Sequence, residues 1–362
     1  MLGERVIMED RKVQTEKKLM EHYQSYPKLQ IKDVFKFLHQ SSYGCEHLVE
    51  DTDKVIEYIR NEVTGYQFDK GELIEELDGD FCRVHLDWIK AGLSAKTLGI
   101  LFSLSAKPVE NGKRMLEEKL VVFKEMVNKG LLPFNLQEVE REIAEWRVNG
   151  YMACRHSEEF RSNYGPGYRV IRKEFALFLP LLLQIDRKMQ MGRVTTAIEG
   201  GSASGKTTLS KVLEKVYGAT ILHMDDFFLR PEQRTQERFA EPGGNIDWER
   251  FLEEVLIPLK DNKPIDYRVF DCSTFTIKPA IRMNLSEVII IEGAYSMHPK
   301  LAQYYDLSAF LNVSSELQKK RILKRNTPEM AKRFFEQWIP MEHKYFEQMN
   351  VKERCDIIID IG

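Results

Sequence analysis

Two hydrophobic periodicities divide this chain. Through the first half, apolar residues recur three or four positions apart: Ile31, Val34, Phe35 and Leu38; Val55, Ile56 and Ile59; Leu116, Leu120, Phe123 and Val127; Val139, Ile143 and Trp146. That spacing places each set on one face of a helix. Gly and Pro punctuate the pattern at Gly92, Pro108, Gly130 to Pro133 and Gly165-Pro-Gly167. No run of strands is expected here. The apolar stretch from Phe175 to Leu183 contains Pro180 and is about half the length needed to cross a bilayer, so it predicts a buried helix.

The second half changes character. Short β-branched runs at Val194–Ile198, Ala219–Leu222, Val288–Ile291, Ala309–Val313 and Asp356–Ile361 alternate with helical patterns. Such alternation predicts βαβ units, hence an α/β domain with a parallel sheet flanked by helices. The polar stretch Asp186–Arg193 separates the two regimes. We therefore expect a mostly α-helical domain over residues 1–190 and an α/β domain over 191–362. Neither internal repeats nor low-complexity tracts interrupt this layout.

Composition narrows the classes. A chain of 362 residues, 43% hydrophobic and 30% charged, can bury two globular cores. The net charge of -3 gives no overall basic field, so a nucleic-acid partner is not expected. Five scattered cysteines are no disulfide framework. With neither a signal peptide nor a membrane-length apolar run, a cytoplasmic setting without a membrane partner is expected. Homo-oligomerisation is left open.

The segment Gly200-Gly201-Ser202-Ala203-Ser204-Gly205-Lys206-Thr207-Thr208 satisfies the phosphate-loop pattern G-x-x-x-x-G-K-[ST]. Its glycines let backbone N–H groups turn inward and cup phosphate oxygens. The helix starting near Lys206 points its positive dipole end at the same anion. Lys206 is expected to reach the β- and γ-phosphates of ATP, and the Thr207 hydroxyl to ligate Mg²⁺. The context fits, since a strand precedes the loop and Leu209–Val216 has helical apolar spacing.

Carboxylates follow at strand ends. Asp225 lies in His223-Met-Asp-Asp-Phe-Phe228, where it can take a proton from an attacking hydroxyl or hold Mg²⁺; a helix cap or solvated turn is the plainer alternative. Glu292 ends the strand Val288-Ile-Ile-Ile-Glu292 and is placed to hold Mg²⁺ or its water shell. Asp247 could hydrogen-bond acceptor hydroxyls or cap the helix predicted at Trp248–Leu256. Gln318 to Arg325 begins a basic helix, with a break at Thr327-Pro328 and Lys332 and Arg333 beyond it. Arg325 and Arg333 suit a lid that closes over developing phosphoryl charge and excludes water, the alternative being a solvated helix face.

Together these residues resemble the uridine kinase and phosphoribulokinase group of P-loop kinases, from about Val194 to Ile361. The phosphate loop, Met224-Asp-Asp-Phe-Phe228, Asn245-Ile-Asp247, Ile291-Glu-Gly293, Arg321-Ile-Leu-Lys-Arg325 and Cys355-Asp-Ile-Ile-Ile359 carry the resemblance. It implies that Asp225 is the catalytic base, that Phe228 packs on the acceptor, that Asp247 contacts ribose hydroxyls, and that Arg321 faces the substrate from the start of the lid. The stretch Val269-Phe-Asp-Cys-Ser-Thr274 has Phe270 and lacks the His with which the family helps read a pyrimidine, and Asn326–Arg333 is shorter than the family's usual lid. The resemblance implies ATP, Mg²⁺ and a small hydroxyl-bearing acceptor, a nucleoside first. A non-nucleoside alcohol, an ATPase or switch acting on the first domain, or a binding module with a degenerate site are the other classes.

The first half resembles no family. Three cysteines lie beside histidines, Cys45 with His47, Cys82 with His85 and Cys154 with His156, which leaves zinc open against ordinary core thiols. Arg83, His85, Arg155, His156, Arg161 and Arg169, with Tyr164 and Tyr168 between, could line an anion pocket or simply form surface ion pairs.

Overall fold

The computed structural model describes residues 2–45, 49, 51–67 and 73–362. It divides into two compact units, Met1–Ala176 and Leu177–Gly362. No helix among the described residues is long and apolar enough to cross a membrane.

In the first unit the expected helices form at Ile31–Tyr43, Thr52–Gly65, Gly112–Asn128 and Leu136–Val148, joined by Leu2–Ser25, Ala95–Ser105 and Glu158–Tyr164 among others. The apolar stripe of Ile31–Tyr43 packs on Gly112–Asn128, and Phe35 stacks on Trp146 with ring centroids 4.5 Å apart. Helices Thr52–Gly65 and Ala95–Ser105 approach so closely that a Cβ at Gly99 would sit 2.6 Å from Ile56 Cγ1.

The expectation that this half lacks strands is wrong. A three-stranded antiparallel sheet of order β1-β2-β3 is built from β1 (Ile74–Glu76), β2 (Phe81–His85) and β3 (Tyr168–Arg172). The pattern hid it because β2 is buried at every position, including charged Arg83, so neither alternation nor an apolar run marks it. Its other edge pairs with β3, more than 80 residues on in the sequence.

In the second unit all five predicted strands join one parallel sheet, ordered β12-β11-β4-β10-β5. These are β4 (Val194–Gly200), β5 (Thr220–His223), β10 (Val288–Glu292), β11 (Leu307–Val313) and β12 (Ile357–Ile361). Two short antiparallel pairs, β6 (Ile265–Tyr267) with β9 (Ile281–Met283) and β7 (Phe270–Asp271) with β8 (Thr276–Ile277), project between β5 and β10 in the sequence. All residues of β4 and β10 are buried, as a sheet covered on both faces requires. Helix Leu179–Met189, with Pro180 in its first turn, buries Leu181, Leu182 and Ile185 and packs on β4 and β11, so it belongs with this unit rather than ahead of it. A core including Leu222, Phe227, Phe251, Ile289, Ile291 and Tyr345 supports the carboxyl ends of β4, β5 and β10.

Candidate active site

The site is assembled where β4, β5 and β10 end. Beyond β4 the chain turns through Gly200 at φ +147° and Ala203 at φ +61°, then enters helix Lys206–Tyr217 with Gly205 as its N-terminal cap at φ +112°. A Cβ on Gly200 would lie 2.7 Å from the Leu311 carbonyl, so only glycine fits there. Lys206 Nζ donates to the carbonyls of Gly200 at 2.7 Å and Gly201 at 3.0 Å, which folds the lysine back over the loop. Thr207 and Thr208 are exposed on the first helical turn.

Three side chains grip the loop from the C-terminal helices. Glu342 accepts from the Ser202 hydroxyl at 2.6 Å and from its N–H at 2.8 Å. Gln318 Nε2 donates to Ser202 O at 2.8 Å. Arg321 Nη1 donates to Ala203 O at 3.0 Å and Ser204 O at 3.1 Å, so it stands on the phosphate loop. Behind the loop, buried Glu199 accepts from the N–H groups of Gly200 (2.9 Å), Tyr295 (3.2 Å) and Met297 (3.0 Å) and from Tyr345 Oη (3.1 Å). It ties β4 to the segment after β10.

The register of β5 on β10 sets His223 opposite Glu292. Glu292 Oε1 accepts from His223 Nδ1 at 2.7 Å and from Thr207 Oγ1 at 3.4 Å. That hydrogen bond to Glu292 holds His223 above its ordinary value. One turn of 3₁₀ helix, Met224–Phe227, follows β5 and carries Asp225 and Asp226. Asp225 is exposed to solvent. Desolvation pushes its carboxyl up, Lys206 pulls it down, and Glu292 adds a further upward push. Asp226 accepts from Tyr267 Oη at 3.2 Å, and desolvation raises it too.

Phe228 bridges Ile246, and the Asp247 N–H donates to Phe227 O at 2.7 Å, so the segment around Asp247 runs alongside the one after β5. Asp247 is buried and caps helix Trp248–Phe251 by accepting from the Arg250 N–H at 3.2 Å. Its other oxygen makes no hydrogen bond among the described residues and faces Arg250 Nε at 3.4 Å. The cap half of the earlier alternative is therefore realised.

The basic helix is Ser315–Arg325; it ends at Asn326, and Thr327 caps a second helix, Pro328–Arg333, at the expected break. Arg325 and Arg333 are exposed, and neither forms an ion pair among the described residues; Arg325 lies over the Phe334 ring at 5.5 Å. Glu199, His223, Gln318 and Glu342 escaped the sequence reading. Glu199 did leave a signal, an acid in a buried strand just before a glycine loop. Gln318 and Glu342 left none, because their partners are more than 110 residues away.

Among the described residues of the first unit the thiols join no group that could hold a metal ion. Cys45 and Cys82 bond the carbonyls of Phe102 and Ile171, and burial pushes both thiols up to about 12. Among the described residues no group of three or more metal-ligating side chains occurs; His47 lies outside the described residues.

Comparison with known proteins agrees with the geometry of the second unit. The model of the Phosphoribulokinase / Uridine kinase family matches residues 195–334. A uridine kinase from Anoxybacillus flavithermus is 28% identical over 191 residues, covering 48% of this chain and 89% of that protein. A uridine kinase from Ligilactobacillus salivarius is 26% identical over 186 residues, covering 47% and 85%. A solved structure of a possible uridine kinase from Bacillus stearothermophilus is 22% identical, covers 50% of this chain and 100% of that one, and has a TM-score of 0.37. The matches fall in the C-terminal half and leave the N-terminal half unmatched. Over residues 195–334, then, the C-terminal half of this chain is similar to the phosphoribulokinase and uridine kinase family.

Proposed function

We propose that the C-terminal unit transfers the γ-phosphoryl group of ATP to a hydroxyl of a small molecule in the cytoplasm, with a nucleoside as first candidate. The observation that carries this reading is the position of Asp225. It stands at the carboxyl end of β5, within electrostatic reach of Lys206 and Glu292. A carboxylate there can take the proton of an incoming hydroxyl as the phosphoryl group arrives. Desolvation, which raises its affinity for a proton, strengthens it as a base.

Thr207, Glu292 and Asp225 offer hydroxyl and carboxylate oxygens, a donor set that suits Mg²⁺, and Thr207 Oγ1 already lies 3.4 Å from Glu292 Oε1. Mg²⁺ bound there would offset charge on the phosphate oxygens. The loop N–H groups not already held by Glu342 or by the carbonyls of Gly201 and Gly205 orient the triphosphate, and Lys206 exchanges its carbonyl partners for phosphate oxygens. Phe228 and Asp247 face the acceptor. Arg325 and Arg333, without a carboxylate partner among the described residues, close from the helices on either side of the Asn326–Thr327 break and exclude water. The uridine kinases among the relatives favour a nucleoside. Phe270, packed with Arg234 at 5.5 Å where a pyrimidine reader would include His, keeps other alcohols in the test.

The test is to incubate the full chain with Mg-ATP and a panel of nucleosides and sugar alcohols, reading products by mass spectrometry. One acceptor gaining a single phosphate is expected. Steady release of inorganic phosphate with every acceptor unchanged would contradict transfer and favour an ATPase.

A further inference from the structure

A cavity of about 580 Å³ opens in the N-terminal unit, outside anything the kinase reading uses. That volume suits a small metabolite. Its wall includes Lys36, Gln40, Tyr58, Phe102, His156 and Tyr168. Helix Ile31–Tyr43 supplies the first two and Thr52–Gly65 and Ala95–Ser105 the next two, while His156 lies just ahead of helix Glu158–Tyr164 and Tyr168 opens β3.

The charges on this wall are unequal in their commitments. Arg169 is held by Glu62 at 2.6 Å and lies over the Tyr58 ring at 5.4 Å. Lys54 and Asp51 line the wall as well, and both are exposed to solvent. Lys36 is different. Its Nζ donates to the Cys154 carbonyl at 3.0 Å, and no carboxylate among the described residues lies within ion-pair distance. Burial, with Arg83 nearby, brings its ammonium down to about 8. A half-buried cation without a counter-charge is costly unless something supplies one.

The neighbouring polar groups are locked. Asp33, held down at about 2 despite burial by bonds from His156 and Ser157, accepts from His156 Nδ1 at 2.9 Å. Burial takes His156 down to about 4, so it is neutral and its Nε2 accepts from the Tyr168 hydroxyl at 2.6 Å. Behind Tyr168, buried Arg83 sits 4.6 Å from the ring and is bound to Gln40 and Glu75. Each of these groups has its partner inside the protein, which leaves Lys36 as the half-buried cation of the wall that forms no ion pair among the described residues.

We infer that this cavity binds a small organic anion, its carboxylate or phosphate held by Lys36 and its apolar or aromatic body set against Tyr58 and Phe102. Tyr168, its proton committed to His156 and one lone pair taken by Gln40 Nε2 at 3.4 Å, keeps a second lone pair on the cavity wall that accepts from a hydroxyl or amine the ligand carries. The lysine repels cations, and the aromatic faces discriminate against bare inorganic ions.

Calorimetric titration of the full chain with phenyl phosphate, benzoate and neutral benzyl alcohol tests this. At least one of the two anions binds and benzyl alcohol does not; which anion binds better separates phosphate from carboxylate. Lys36→Met weakens that anion at least tenfold, Lys36→Arg retains it, and Lys206→Ala, which disables the phosphate loop, leaves it unchanged. Tyr58 is 67% exposed, so Tyr58→Ala keeps the fold and weakens binding at least threefold. Benzyl alcohol binding as tightly as the anions, neither anion binding, or either Lys36→Met or Tyr58→Ala binding like wild type overturns the inference.

Discussion

Glu199 holds five donors at the root of the phosphate loop, three backbone N–H groups and the hydroxyls of Ser296 and Tyr345. Complete burial pushes its carboxyl up to about 7, against the N–H groups of Met297 and Gly200 that pull it down. A folded value above the ordinary 4.5 means that the folded state holds the proton more tightly than the unfolded chain. Its contribution to stability is therefore complete below about 4.5 and lost as pH rises through about 7. Urea unfolding should show wild type losing roughly 3 kcal/mol relative to Glu199→Gln across that interval, at about 1.4 kcal/mol per unit. Parallel pH profiles for the two proteins would refute it. One residue on, Gly200 combines φ +147° with a carbonyl where its Cβ would be. Gly200→Ala should distort the loop by about 1–3 kcal/mol and weaken ATP binding at least tenfold by calorimetry. Wild-type affinity in that variant would show the loop to be more pliant than this geometry allows.

At the scale of elements, the phosphate loop is gripped by helices Ser315–Arg325 and Ile339–Gln348, which arrive over a hundred residues later. Removing Glu342 strands the Ser202 N–H and hydroxyl without their acceptor. A stranded buried donor costs about 1–3 kcal/mol. Glu342→Ala should thus raise the Kd for ATP roughly five- to a hundredfold, with Glu342→Gln between it and wild type; equal affinities would mean that the helix does not support the loop. The five sheet strands and the glycine loop were legible because each is a continuous local pattern: an unbroken β-branched run, or fixed spacings of Gly, Lys and Thr. Glu292 and Asp225 were legible as acids at the ends of such runs. The strands around Arg83 were not, because a buried charge in β2 is satisfied only by Gln40 and Glu75 from other elements, and no window of sequence contains them all. Glu342 and Gln318 were hidden for the same reason. Arg321 was read toward the substrate and lies on the loop carbonyls, a placement fixed by how its helix packs rather than by its spacing.

At the scale of the whole molecule, each compact unit has its own core and its own candidate site, a phosphate loop in Leu177–Gly362 and an anion-sized cavity in Met1–Ala176. A chain limited to residues 177–362 keeps the parallel sheet, helix Leu179–Met189 and all the gripping side chains. It should fold and bind ATP with the affinity of the full chain; an insoluble or ATP-blind fragment would show that the first unit is required. The central claim is that a carboxylate at the end of β5 readies an acceptor hydroxyl against a triphosphate held by the loop. Its most direct measurement is single-turnover phosphoryl transfer by Asp225→Asn, with ATP affinity measured in parallel. A fall of roughly 10²–10⁴ in the transfer rate with ATP affinity within a few-fold of wild type is the predicted result. Transfer at the wild-type rate by Asp225→Asn would contradict it.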